Sequence, residues 1–178
     1  MATGVLTGLN PARMVGSGPN NGGLTDYKIT SGYATGLGKG DAVKLSATGT
    51  LNKATNDTDD AIGVFLGVNY TDSLGEPKFS KQWIASTVAT DIVALVNDSP
   101  FATFTAKGDA AITSVNVGDI YALNLTAPDT ITGRSTSTVD VSATVAAALG
   151  LVKVIKVLDV DTRALEVVLV DHALRDDG

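Results

Sequence analysis

Ala61-Ile-Gly-Val-Phe-Leu-Gly-Val-Asn-Tyr70 is apolar on both parities of an extended chain, so it reads as a central β-strand covered on both faces. Gly63 and Gly67 in it admit a bulge or a close backbone neighbour. Downstream, Thr71-Asp-Ser-Leu-Gly-Glu-Pro77 has the composition of a hairpin loop, and Lys78 to Ile84 form the returning strand. Upstream, Asp41-Ala-Val-Lys-Leu-Ser46 alternates, with Val43 and Leu45 on one face and Lys44 and Ser46 on the other. A turn at 47–50, a short strand at Leu51 to Ala54 and a polar loop at Asn56 to Asp60 connect it to the central strand.

The same punctuation continues to the C-terminus. Ile92 to Val96 read as a strand, and Phe101 to Ala106 place Ala102, Phe104 and Ala106 inward with Thr103 and Thr105 outward. Gly118 to Leu125 follow as another strand. Leu151 to Leu158 and Ala164 to Val170 form a closing antiparallel hairpin around Asp159-Val-Asp-Thr-Arg163. Gly-Asp steps at 40–41, 108–109 and 118–119 are ordinary turn devices and hint at two related halves. Thr138 to Leu149, with its Ala-rich centre and Gly150 behind it, is the one stretch where a short helical turn fits. The expected fold is therefore all-β, an antiparallel β-sandwich or small β-barrel with an extended N-terminal arm and at most one short helix.

The arm is residues 1–26, where Gly, Pro and Asn are too frequent to propagate a helix or strand. It still carries Val5, Leu6, Leu9, Met14 and Val15, side chains that a segment destined to stay disordered normally lacks. They are expected to find a groove on a neighbouring subunit, with a disordered tail as the second reading and docking on the parent domain as the third. The β domain is then 27–178, with a division into β-rich halves at about 27–100 and 101–178 left open.

Bulk composition narrows the functional classes. A chain of 178 residues can build a core without staples, and with no Cys it has neither disulfides nor thiolate metal ligands. Net charge is −6, and the 13 Lys and Arg are scattered singly along the chain, which speaks against nucleic acid as a direct partner. Met1 to Gly8 lack the features of a signal peptide, and no stretch of about 18 apolar residues occurs, so neither export by that route nor a membrane span is expected. Charged residues make up only 18% of the chain, leaving a Thr, Ser, Asn, Ala and Gly surface suited to burial against partner subunits.

Catalytic patterns do not assemble in the sequence. The one His, His172, has no Gly-x-Ser-x-Gly elbow to serve and reads as a surface or strand-end imidazole bonded to a neighbouring backbone group. Gly32 to Gly40 imitates a phosphate loop, but its spacing is one residue too long and a strand follows instead of a helix. Asp57, Asp59 and Asp60 lack the rest of a calcium loop, and Asp159 and Asp161 belong to a hairpin turn. Trp83 reads as half-core, with a sugar-stacking platform as its functional alternative. No catalytic residue, metal ligand or cofactor is expected.

The order of motifs along the chain carries a resemblance. Gly8-Leu-Asn-Pro11 in the arm leads into Tyr27-Lys-Ile29 and Gly40-Asp-Ala-Val-Lys-Leu45. Then come Gly63-Val-Phe-Leu-Gly-Val-Asn-Tyr-Thr-Asp-Ser73, Pro77, Trp83, Gly133-Arg-Ser-Thr136 and Glu166-Val-Val-Leu-Val-Asp-His172. Over nearly its whole length the chain resembles the capsid decoration, or cement, proteins of tailed bacteriophages. Asp171-His172 departs from the Asn-x-His expected of such relatives. The resemblance implies a non-enzymatic, β-rich virion protein, often a homotrimer, made in the host cytoplasm and seated on the outer capsid surface, where it clamps adjacent major capsid protein subunits. Leu6, Leu9, Pro11 and Val15 are the expected contacts of the arm, and deletion of residues 1–20 is expected to abolish capsid binding while leaving the β domain folded. A tail- or fibre-associated β module with a glycan site is the alternative within the virion. A hydrolase and a pocketed β-barrel are the alternatives outside it.

Overall fold

The computed structural model describes residues 6–15, 24–142, 144–145, 150–170 and 172–174. Expectations placed on Val5, residues 16–23, the Ala-rich 146–149, Asp171 and the tail 175–178 lie outside these. The described chain is all-β, and its strands in order are β1 (Asn10–Met14), β2 (Leu24–Tyr27), β3 (Leu37–Gly38), β4 (Ala42–Leu45) and β5 (Leu51–Lys53). They continue with β6 (Ala61–Thr71), β7 (Pro77–Ser80), β8 (Gln82–Trp83), β9 (Thr90–Asn97) and β10 (Ala102–Lys107). The last four are β11 (Ile120–Asn124), β12 (Thr138–Asp140), β13 (Val152–Asp159) and β14 (Ala164–Leu169). A single 3₁₀ turn at Ser114–Asn116 is the described helical element.

These strands make two six-stranded antiparallel sheets and a two-stranded ribbon, β3 with β8. The N-terminal sheet has the order β2-β9-β6-β4-β5, with β7 also on β6. The long β6 is its axis: β9 runs along one edge, while β4 and β7 share the other. The backbone N–H of Leu51 donates to the carbonyl of Lys28 at 2.7 Å, so β5 comes back against the end of β2 and the sheet curls toward a barrel. The C-terminal sheet has the order β1-β10-β14-β13-β11-β12. The strands after Phe101 together with β1 build one sheet, and the strands from Leu24 to Asn97, apart from the ribbon of β3 and β8, build the other.

Two apolar clusters divide the strands, and along β6 the register shifts opposite Val43–Lys44 and between Phe65 and Gly67 interrupt the simple alternation. Ile62, Phe65 and Val68 of β6 point into the curl of the N-terminal sheet with Val43, Leu51, Trp83 and Val96. Ala61 and Val64 point the other way, together with Ala42, onto Phe104, Val154, Leu165 and Val167 of the C-terminal sheet. β6 is thus covered on both faces, as its two apolar parities require. A Cβ on Gly63 would lie 2.2 Å from the carbonyl oxygen of Asn97, and one on Gly67 would lie 2.8 Å from the Phe79 ring. Both glycines admit a close neighbour, and the strand bulges between Phe65 and Gly67.

Several sequence expectations change: the single returning strand read over Lys78 to Ile84 is split into β7 on β6 and β8 on β3, and the ambiguous stretch from Thr138 opens as the strand β12. Leu45 is not on a buried face with Val43: it is 40% exposed, because the strand leaves the sheet for the turn at this point, whereas Ala42 and Val43 are buried on opposite faces. The N-terminal stretch is not strandless. β1 pairs with β10 and β2 with β9, so each becomes the outer strand of a sheet. Pro11 is tolerated because β1 is an edge strand, with a register shift between Pro11 and Arg13 absorbing the irregularity.

Candidate docking surface

Segments that stand far apart in the sequence meet where the two sheets join. The N–H of Leu9 donates to the carbonyl of Gly40, and the N–H of Gly8 to that of Ser137. Lys39 donates to Gly133 and in turn accepts from Ser135. Gly8 holds a φ of +62°, and a Cβ there would lie 2.5 Å from the Ser135 side chain. Only glycine meets both demands. Gly8-Leu-Asn-Pro11, Gly40-Asp41 and Gly133-Arg-Ser-Thr136 are thus three parts of one seam.

Beneath that seam lies a buried ion pair. Asp41 is fully buried, and its Oδ2 accepts from the backbone N–H of Gly38 at 2.8 Å and from Lys53 Nζ at 2.9 Å. Lys53 Nζ also donates to the carbonyl of Thr126 at 2.6 Å, which ties β5 to the loop leading toward β12. The loop that imitates a phosphate site is therefore filled by the protein's own carboxylate. Of its glycines, Gly38 serves close packing, since a Cβ there would lie 2.5 Å from Pro128, whereas Gly32 holds a φ of +78° in open space.

The four expected arm contacts separate. Leu9 is 2% exposed and belongs to the core between the sheets. Leu6 is half-buried, Pro11 is exposed on β1, and Val15 is 44% exposed just beyond it. Residues 6–14 therefore pack against their own domain, and a deletion of 1–20 takes away an edge strand and a core leucine.

Pro11 and Val15 instead border an apolar strip that the sequence does not reveal. The N–H of Val15 donates to the carbonyl of Phe101, a residue 55% exposed, and Leu24 at the start of β2 is 52% exposed. Between β1 and β2 runs a groove of about 230 Å³ with a mixed lining, Met14, Leu24, Leu66 and Ala102 beside Arg13, Asn97 and Thr103. Among the described residues the outer edges of β1 and β2 carry no further strand. Other exposed apolar side chains, such as Leu74 and Ile131, stand in turns between strands.

The remaining candidates resolve into structural roles. His172 is 2% exposed, its Nδ1 accepts the N–H of Leu174, and its backbone bridges to Ala61 beside β6. Trp83 is 1% exposed, with its indole N–H on the carbonyl of Tyr33 and its ring edge-on to Tyr70, so it offers no stacking platform. Asp57 accepts the N–H of Leu123. Asp59 accepts the N–H groups of Thr55 and Asn56 and pairs with Lys44 at 2.6 Å. Burial alone would raise the Asp59 pKa, but the Lys44 hydrogen bond, the two backbone donors and the Lys44 charge outweigh it and hold the group at about 2. Asp159 caps its own hairpin through the N–H of Asp161 and the hydroxyl of Thr162. Among the described residues no three His, Asp or Glu side chains gather as a metal site, and no helix is long and apolar enough to cross a membrane.

The fold and this surface define an antiparallel β-sandwich with an exposed apolar strip. No family model matches the chain, and neither a curated protein nor a solved structure does.

Proposed function

We propose that this chain is a non-enzymatic virion protein that decorates and stabilises an icosahedral phage capsid by binding the outer surface of the major capsid protein across subunit boundaries. The apolar strip of Val15, Leu24 and Phe101, alongside strand edges that carry no further strand among the described residues, is the observation that carries the reading. A strip of this kind gains by burial at ~25 cal/mol per Å², and open edges add main-chain hydrogen bonds to a partner. The motif order that resembles decoration proteins supports the same assignment. Homotrimer formation and a seat on the outer virion surface, after synthesis in the host cytoplasm, belong to the proposal. Within it, Pro11 and Val15 keep their contact role, Leu24 and Phe101 join them, and Leu9 becomes part of the core.

The alternative of a tail- or fibre-associated module loses its glycan residue with the burial of Trp83. Cosedimentation with tailless capsid shells freed of this protein separates the two. The proposal expects saturable binding to shells that is lost in Val15→Asp/Phe101→Asp. Binding to isolated tails and not to shells overturns it.

A further inference from the structure

Lys and Arg residues scattered along the sequence come together on the outer face of the C-terminal sheet. On β14, Leu165, Val167 and Leu169 face the core, so Glu166 and Val168 face outward. The register sets Lys156 opposite Glu166 and Lys153 opposite Val168, while Lys107 on β10 lies opposite Ala164. On β1, Arg13 stands opposite the outward Thr103. Four cations thus share four adjacent strands with one central carboxylate, on a chain whose net charge is −6. Asp140 on β12 and Asp159 at the tip of β13 are the acids at its margins.

Glu166 is the unusual member. Its side chain is 6% exposed although it lies on the outward face, and Arg13 Nε lies 2.7 Å from its Oε1. That oxygen makes no hydrogen bond of ordinary geometry among the described residues. A carboxylate buried there is costly where Thr or Val would serve, unless it has work to do. Its effect is to hold the Nε edge of the Arg13 guanidinium, a side chain 56% exposed, over the face. Lys107, Lys153 and Lys156 have no ion pair among the described residues.

We infer that this face is a docking site for a carboxylate-bearing protein surface, with Arg13 as the bidentate anchor and Lys153, Lys156 and Lys107 as its flanking charges. Resting on the capsid reading above, the occupant is an acidic area of the major capsid protein shell. A fixed guanidinium fork matches the planar carboxylate, and the positive face complements an acidic one. Nucleic acid fits less well on a chain whose net charge is −6, and between the cations of β10, β13 and β14 the face carries small aliphatic and hydroxyl side chains.

The test compares the unaltered protein with Lys153→Gln/Lys156→Gln, Arg13→Lys and the control Lys28→Gln/Lys81→Gln, whose sites lie on the N-terminal half. Binding to stripped shells is measured between ~50 and ~500 mM NaCl. Sedimentation velocity and binding to labelled duplex DNA are run in parallel. The expected result is shell binding by the unaltered protein that weakens with salt, a loss of at least ~10-fold with a shallower salt slope in the lysine pair and in Arg13→Lys, and no change in the control. Shell binding by the variants equal to that of the unaltered protein overturns the docking face alone. So does an effect confined to self-association, or preferential capture of duplex DNA. Failure of the unaltered protein to bind shells at any salt overturns the capsid reading and this inference with it.

Discussion

Lys53 shows what a single side chain contributes to the join between the two sheets. Its ammonium is nearly buried, with a side chain 7% exposed, and answers both the Asp41 carboxylate and the Thr126 carbonyl. Lys53→Met keeps the volume but leaves a buried carboxylate without its counter-charge, so it is expected to destabilise the fold by about 3 kcal/mol in a urea titration. Asp59 makes a smaller, pH-dependent contribution. Its pKa of about 2 in the fold lies below the ordinary carboxylate value of 3.8, so its stabilisation is present above that value and is lost as pH falls through about 2. Loss of ~1 kcal/mol across that window, absent in Asp59→Asn, is the expected outcome of melts at stepped pH. Neither partnership was legible in the sequence, since pairing Asp41 with Lys53, or Asp59 with Lys44, depends on which strands lie side by side. The burial of Trp83 was hidden for the same reason: local pattern puts it on a strand, but the ribbon of β3 and β8 seals it in.

At the scale of elements, alternation carried most of the fold. The inward Ala102, Phe104 and Ala106 of β10, the hairpin of β13 and β14, and the two-faced β6 all lie where their periodicity places them. β1 failed to show because its pattern is broken by Pro11 and a bulge, and an edge strand needs only one side of its ladder. β1 is expected to be part of the cooperative unit. Leu9→Ala removes a core side chain and should cost about 3 kcal/mol, and removal of residues 1–14 should lower the melting temperature and open the edge of β10 to aggregation. An unchanged melt for that truncation would mean that the segment is a detachable arm after all. Val15 and Phe101 became visible as a pair only once β1 was laid against β10.

The whole molecule combines a packed seam, an apolar strip along the outer edges of β1 and β2 and a flat face on which cations collect around a buried glutamate. The all-β class was legible throughout, because short runs closed by turn residues recur from Tyr27 to Val170. The surfaces were not, since a face is assembled from residues some 150 positions apart, such as Arg13 and Glu166. The proposal that the molecule clamps capsid subunits is most directly tested by electron cryomicroscopy of the parent particle and of the same particle lacking this chain. The account predicts a difference density on the outer head surface that straddles neighbouring major capsid protein subunits. Difference density confined to the tail or its fibres, or none on the particle at all, would contradict it.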